Sequence, residues 1–74
     1  MTTREVIRRV RARDPAARVV HQDGSHQKWR LHDGGILIVP VHRRGIPIGT
    51  LRHIERLGEP SLGRRWLLGN RLHG

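Results

Sequence analysis

The sequence predicts an α+β fold with the element order α-β-β-β-α, in which a three-stranded antiparallel sheet carries the helices on one face. Apolar residues recur at helical spacing near both ends of the chain, whereas the middle third is rich in β-branched residues. Asp-Gly and Gly-Gly pairs divide that middle third into short segments, as turns between strands do.

The first helix has a start signal and a stop signal. Thr2 and Glu5 have the spacing of a capping box, in which each side chain accepts a hydrogen bond from the other residue's backbone. Asp14 precedes Pro15, and a residue before proline disfavours the helical conformation, so we expect the helix to end there. The apolar face of this helix consists of Val6, Ile7 and Val10.

Three strands and two turns follow. Residues 18–21 form a short segment with two adjacent β-branched residues and predict a strand, and residues 22–24 predict a turn. Residues 25–32 alternate strictly, and the Asp-Gly-Gly sequence at 33–35 predicts a hairpin. The third strand, residues 36–39, is apolar on both faces, so we expect it to be central or well covered.

The second helix is predicted to begin at Thr50 as its N-cap. Gly58 is the expected residue after its C-terminus, and Pro60 the expected stop. A short extra C-terminal helix is predicted over residues 61–68. The apolar residues of the second helix are Leu51, Ile54 and Leu57.

Size and composition limit the classes of function. A chain of 74 residues makes one small domain, which we place at residues 1–68 with a flexible tail at 69–74. The absence of cysteine excludes disulfides and thiolate metal sites, and no apolar run could span a membrane, so we expect a soluble cytoplasmic protein. A net charge of +9 predicts an anionic partner. With two tryptophans and no Phe or Tyr, the chain cannot form an aromatic surface on which nucleic-acid bases would stack.

The alternating segment at residues 25–32 separates two kinds of side chain. In a strand, successive side chains point to opposite faces. One face would carry Ser25, Gln27, Trp29 and Leu31, and the other would carry His26, Lys28, Arg30 and His32. A row of nitrogen donors of this kind is typical of a surface that holds a phosphate backbone.

His26 is the candidate catalytic residue because it follows two small residues and heads this basic row. An imidazole can take or give a proton near neutral pH, as cleavage of RNA without a metal requires. A solvated surface histidine is the alternative, and an ordinary solvated strand face is the alternative for Lys28 and Arg30. No pair of histidines has metal-ligand spacing on one helix, so we expect neither metal nor cofactor. The residues expected to bind RNA are Ser25, Lys28, Arg30, His42, Arg43 and Arg44.

Three short motifs in register carry a family resemblance. Gly-Ser-His at 24–26, Val-Pro-Val-His at 39–42 and Gly-Thr-Leu-Arg-His-Ile at 49–54 resemble the HicA toxins of type II toxin–antitoxin systems, over roughly residues 3–58. The resemblance implies a fold like that of double-stranded-RNA-binding domains and the activity of an mRNA endonuclease. It also implies that His26 is catalytic and that a HicB-like antitoxin blocks the site.

Taken with the resemblance, the sequence predicts a ribosome-independent, metal-independent mRNA interferase that arrests growth as part of a stress response. Two other hypotheses stay open from the residues alone. One is a non-catalytic double-stranded-RNA-binding module with the same fold. The other is a basic subunit whose charge serves to bind an acidic protein.

Overall fold

A computed structural model of the chain describes residues 1–42 and 44–69. It confirms the α-β-β-β-α order and the α+β fold resembling double-stranded-RNA-binding domains, with one antiparallel sheet in the strand order β1-β2-β3. Within the described residues, no helix is long and apolar enough to cross a membrane. The elements are α1 (Thr3–Arg13), β1 (Arg18–Gln22), β2 (His26–Arg30), β3 (Ile36–Pro40) and α2 (Ile48–Leu62).

The predicted capping box at the start of α1 is present. The Thr2 hydroxyl accepts a hydrogen bond from the Glu5 backbone N–H at 3.2 Å, and the Glu5 carboxylate accepts one from the Thr2 N–H at 3.4 Å. Two N–H groups that lack a partner within the helix are satisfied in this way. At the other end, the Asp14 N–H donates to the Val10 carbonyl at 2.8 Å, which confirms the predicted end of the helix before Pro15.

Asp14 fastens the end of α1 to the turn between β2 and β3. Its buried carboxylate accepts hydrogen bonds from the His32 backbone N–H at 2.7 Å and the Ala16 N–H at 3.0 Å, and it lies 3.0 Å from His32 Nδ1. Burial alone would raise the pKa of Asp14, but the hydrogen bonds from His32 and Ala16 lower it. His32 is therefore bound to Asp14, beyond the end of β2, and does not extend the row of basic residues on that strand.

The sheet buries one face only. Trp29 on β2 and Leu37 and Val39 on β3 point to this inner face and are almost completely buried. The helices supply the other side of the core, including Val6 and Val10 from α1. The remaining core residues are Ala17, Leu31, Ile46, Leu51, Ile54, Leu62, Trp66, Leu67 and Leu68.

The expectation that the third strand is central or well covered is wrong. Two successive hairpins place β2 between its chain neighbours, so β3 is an edge strand. Ile36 and Ile38 point away from the helices and keep 44% and 42% of their surface exposed. The apolar character of both faces of β3 therefore produces an exposed apolar strip beside β2.

Both predicted boundaries of the second helix are also wrong. The helix begins at Ile48 with Pro47 as its N-cap, so Thr50 lies inside it. It continues through Gly58 and Pro60 to Leu62. Gly58 has a packing role, because a Cβ atom there would lie only 2.8 Å from Trp66 Nε1.

The predicted extra helix over residues 61–68 is not formed, because residues 61 and 62 end α2 and residues 64–68 form turns. Glu55 holds this segment in place. Its backbone carbonyl accepts a hydrogen bond from Trp66 Nε1 at 2.8 Å, and its carboxylate accepts the N–H groups of Leu67 and Leu68 at 3.2 and 2.6 Å. Of the predicted flexible tail, residues 70–74 lie outside the described part of the chain.

Candidate functional site

The face of the sheet turned away from the helices is a basic surface with an apolar edge. Directly opposite residues of antiparallel strands point to the same side. Arg18 on β1 lies opposite Arg30, and His21 lies opposite Lys28. We call this surface the outer face; it consists of Arg18, His21, His26, Lys28, Arg30, Ile36, Ile38 and Pro40.

His26 stands at one end of this surface, at the first position of β2. The turn before it is held by Asp23, whose Oδ1 atom accepts the backbone N–H groups of Ser25 at 2.9 Å and His26 at 2.8 Å. The Asp23 N–H donates to the His26 carbonyl at 3.1 Å and closes the hairpin. The hydrogen bonds from Ser25 and His26 hold the pKa of Asp23 below its ordinary value, so the carboxylate is ionised at neutral pH.

The Ser25 hydroxyl lies between the carboxylate and the imidazole. Ser25 Oγ is 3.0 Å from His26 Nδ1 and 3.4 Å from Asp23 Oδ1. The imidazole is more than half exposed, so its far edge is open to a ligand from solvent. Within residues 1–42 and 44–69 there is no enclosed pocket, and the site is accordingly an open surface suited to a long or flat ligand.

The end of β3 and the start of α1 form the border of the site beside His26. His26 lies opposite Pro40, and the Val41 N–H donates to the Ser25 carbonyl at 2.8 Å. The Thr3 hydroxyl donates to the Pro40 carbonyl at 2.8 Å and accepts the His42 N–H at 3.0 Å. These bonds bring the His42 backbone to the corner of the sheet at which His26 stands.

The loop after His42 joins this corner to α2. Ile46 is its anchor, since its side chain is buried and its N–H donates to the Met1 carbonyl at 2.7 Å. Arg44 is exposed on the loop, whereas Arg43, also predicted to bind RNA, lies outside the described residues. Among the described residues, no group of three or more His, Cys, Asp or Glu side chains could hold a metal ion.

Comparison with known proteins assigns the chain to one family. A family model described as the HicA toxin of bacterial toxin–antitoxin matches residues 3–58. The chain belongs to the HicA toxin family. It is therefore the toxin of a toxin–antitoxin system, as the sequence motifs predicted. No curated protein and no solved structure matches the chain.

The structure of this HicA toxin brings together some of the predicted residues and separates others. Ser25 and His26 are in contact, and Lys28 and Arg30 continue the same row on the outer face. His42 reaches the same corner through its backbone, and no hydrogen bond within the described residues joins its ring to His26.

Asp23 is the residue that sequence reasoning missed. The sequence predicts a turn for residues 22–24 and by itself indicates no role for this carboxylate. A signal was present, because an Asp two residues before a Ser commonly accepts that residue's backbone N–H. Such a contact predicts that the carboxylate lies close to the two residues that follow Gly24.

Proposed function

We propose that this HicA toxin is a ribosome-independent mRNA endonuclease in which His26 is the catalytic base. The observation that carries the proposal is the position of His26 within the family match: it heads a basic strand, has an exposed ring, and is held by the turn before it. A surface of this kind suits a backbone ligand, because arginine and lysine contact phosphate oxygens irrespective of base sequence.

In the proposed reaction, His26 takes the proton of an RNA 2′-hydroxyl as that oxygen attacks the adjacent phosphorus. The bond from phosphorus to the 5′-oxygen breaks, and the upstream RNA fragment is left with a cyclic phosphate that water can open to a 3′-phosphate. A water molecule or His42 gives the departing 5′-oxygen its proton. Lys28 and Arg30 hold the phosphate and offset the negative charge that develops on its oxygens.

We also propose that a HicB-like antitoxin neutralises the toxin by covering His26, and that both act in the cytoplasm, where mRNA is present. The family match supports a toxin–antitoxin partner. The outer face supports an acidic partner with apolar side chains, because its basic row lies beside the exposed Ile36 and Ile38.

The proposal is tested with purified toxin and an end-labelled mRNA. We expect cleavage that persists in EDTA, since base and acid catalysis needs no metal, and products that carry a cyclic or 3′-phosphate. The matched control is the same sequence made with 2′-deoxyribose throughout, which lacks the attacking hydroxyl and should stay intact. Cleavage of that control would contradict the mechanism, and loss of cleavage in EDTA would replace it with a metal-dependent one.

The fold favours one alternative function, a non-catalytic double-stranded-RNA-binding module, because such modules share the α-β-β-β-α order. The two functions predict different results for RNA cleavage and for growth when the protein is expressed. A binding module would retain labelled double-stranded RNA without cutting any RNA, and its expression would not arrest growth. The proposed toxin cuts RNA, and its expression arrests growth until the antitoxin is supplied.

RNA affinity should fall steeply with salt, because binding to several phosphates releases counterions. We expect Lys28→Ala to weaken binding and to reduce the slope of log affinity against log salt by about one unit, as loss of one phosphate contact does. Binding is measured with uncleavable 2′-deoxy-substituted RNA at several salt concentrations. Arg56→Ala is the matched control, because it removes the same charge from the exposed side of α2. Equal losses in the two variants would show that the outer face is not the binding surface.

A further inference from the structure

Three side chains form a chain of contacts that ends at the proposed catalytic ring. Asp23 Oδ1 lies 3.4 Å from Ser25 Oγ, Ser25 Oγ lies 3.0 Å from His26 Nδ1, and Asp23 Oδ1 lies 4.0 Å from that same ring nitrogen. The turn fixes the carboxylate in this place, because it also accepts the backbone N–H groups of Ser25 and His26. All three residues belong to one four-residue turn, which the hydrogen bond from the Asp23 N–H to the His26 carbonyl closes.

The geometry bears on which ring nitrogen carries the proton. The Ser25 hydroxyl has a single proton, and an ionised carboxylate is a stronger acceptor than a neutral imidazole nitrogen. When the hydroxyl donates to Asp23, its oxygen can only accept from His26, which requires a proton on Nδ1. The negative charge of Asp23 favours the same arrangement, since a protonated Nδ1 is attracted to it and a bare lone pair is repelled.

The consequence for the proposed chemistry lies at the opposite side of the ring. A neutral imidazole that is protonated on Nδ1 has a free lone pair on Nε2, the nitrogen farther from the backbone. That lone pair is what a base needs to take the proton of a 2′-hydroxyl. After the transfer, the charged ring lies near the Asp23 carboxylate, which stabilises it.

We propose that Asp23 is a positioning residue that acts through the Ser25 hydroxyl to keep the His26 proton on Nδ1 and leave Nε2 as the free base. The effect on rate rests on the proposed function, whereas the position of the proton can be measured without RNA. The tautomer of His26 is accordingly the first measurement, and RNA cleavage is the second.

The test uses Asp23→Asn in the full-length toxin. An asparagine oxygen can still accept the two backbone N–H groups, so the turn is kept while the charge is removed. The hydroxyl is then free to donate to Nδ1, which moves the ring proton to Nε2. Nitrogen-15 NMR of the His26 ring at about pH 8, where an ordinary imidazole is neutral, reports which nitrogen is protonated. We expect the Nδ1-protonated form in the wild type and a shift to the Nε2-protonated form in Asp23→Asn.

Asp33→Asn is the matched control. Asp33 has the same role in the other hairpin, where its Oδ1 atom accepts the Gly35 N–H at 2.9 Å and the Ser61 hydroxyl at 3.0 Å. The control changes the net charge by the same amount and should leave the His26 tautomer and the cleavage rate unchanged. In Asp23→Asn, the cleavage rate should fall about five- to tenfold, in proportion to the fraction of His26 left in the competent form.

The outcomes separate the two proposals. An Nε2-protonated His26 in the wild type, or a tautomer that does not respond to Asp23→Asn, would overturn the positioning role. A shifted tautomer with an unchanged cleavage rate would overturn its catalytic consequence. If the wild type showed the Nδ1-protonated form and cut no RNA, the proposed function would fail while the orientation of His26 by Asp23 stood.

Discussion

Replacing His26 with alanine should abolish RNA cleavage and growth arrest while the domain stays folded. Loss of a general base typically lowers a rate by about 10²- to 10⁴-fold. The free energy of unfolding should change by only about 0.5 kcal/mol, because the ring is mostly exposed and its hydrogen bond is to the neighbouring Ser25. Cleavage of a labelled mRNA is measured for wild type and variant, with thermal unfolding of both proteins alongside.

His53→Ala is the matched control for this prediction. It removes the same side chain from an exposed position on α2, which packs on the inner face of the sheet. We expect wild-type cleavage and wild-type unfolding from this control. Full cleavage by a folded His26→Ala protein would refute the assignment of His26 as the base. An equal loss of cleavage in His53→Ala would refute the assignment of the chemistry to the outer face.

The parts of the fold that could be predicted are those set by residues close in sequence. The capping box of α1 depends on side chains three residues apart, Thr2 and Glu5, and it forms as expected. The hairpin at residues 33–35 depends on glycine as well, since Gly34 has a φ of +85°, which most side chains disfavour. The alternation in β2 predicted its buried face because strand geometry alone decides which side chains share a face.

The parts that could not be predicted depend on contacts between distant residues. Gly58 and Pro60 together are a stop signal for a helix, yet α2 continues through both to Leu62, and the glycine instead leaves room for the Trp66 ring. Pro60 lies in the last turn, so the hydrogen bond that it cannot make affects only the end of α2. No local pattern indicates that the Glu55 carboxylate accepts hydrogen bonds from the backbone N–H groups of residues 67 and 68.

The candidate site likewise has a part that could be predicted from the sequence and a part that could not. The row formed by His26, Lys28 and Arg30 was predictable from alternation, whereas the place of the His42 backbone beside this row depends on Thr3, a residue distant in sequence. The spacing of Asp23 and Ser25 signals the contact between the carboxylate and the Ser25 backbone, but no sequence pattern indicates that Ser25 Oγ and Asp23 lie near the His26 ring. Sequence patterns therefore predicted which side chains share the outer face of β2, and the structure was needed to see which groups contact them.

Trp29→Ala should unfold the domain or come close to doing so. The indole lies on the central strand, only 1% exposed, opposite Val19 and Leu37 in the neighbouring strands. Removing a buried aromatic ring from a core typically costs about 3–5 kcal/mol. Domains are commonly stable by about 0.05–0.15 kcal/mol per residue, which gives this chain roughly 4–11 kcal/mol in total. The loss is thus comparable with the whole stability, and the measurement is urea unfolding followed by far-UV circular dichroism.

Leu57→Ala is the matched control for the loss of apolar surface, because Leu57 lies on α2 with 55% of its surface exposed. The free energy of unfolding of that variant should lie within about 0.5 kcal/mol of the wild-type value. If Trp29→Ala unfolded at the same urea concentration as this control, the Trp29 side chain would not lie at the centre of the core. The faces of β2 would then be exchanged, since a shift of one residue in a strand moves every side chain to the opposite face. His26, Lys28 and Arg30 would in that case point toward the helices, and the proposed RNA surface would be lost along with the core.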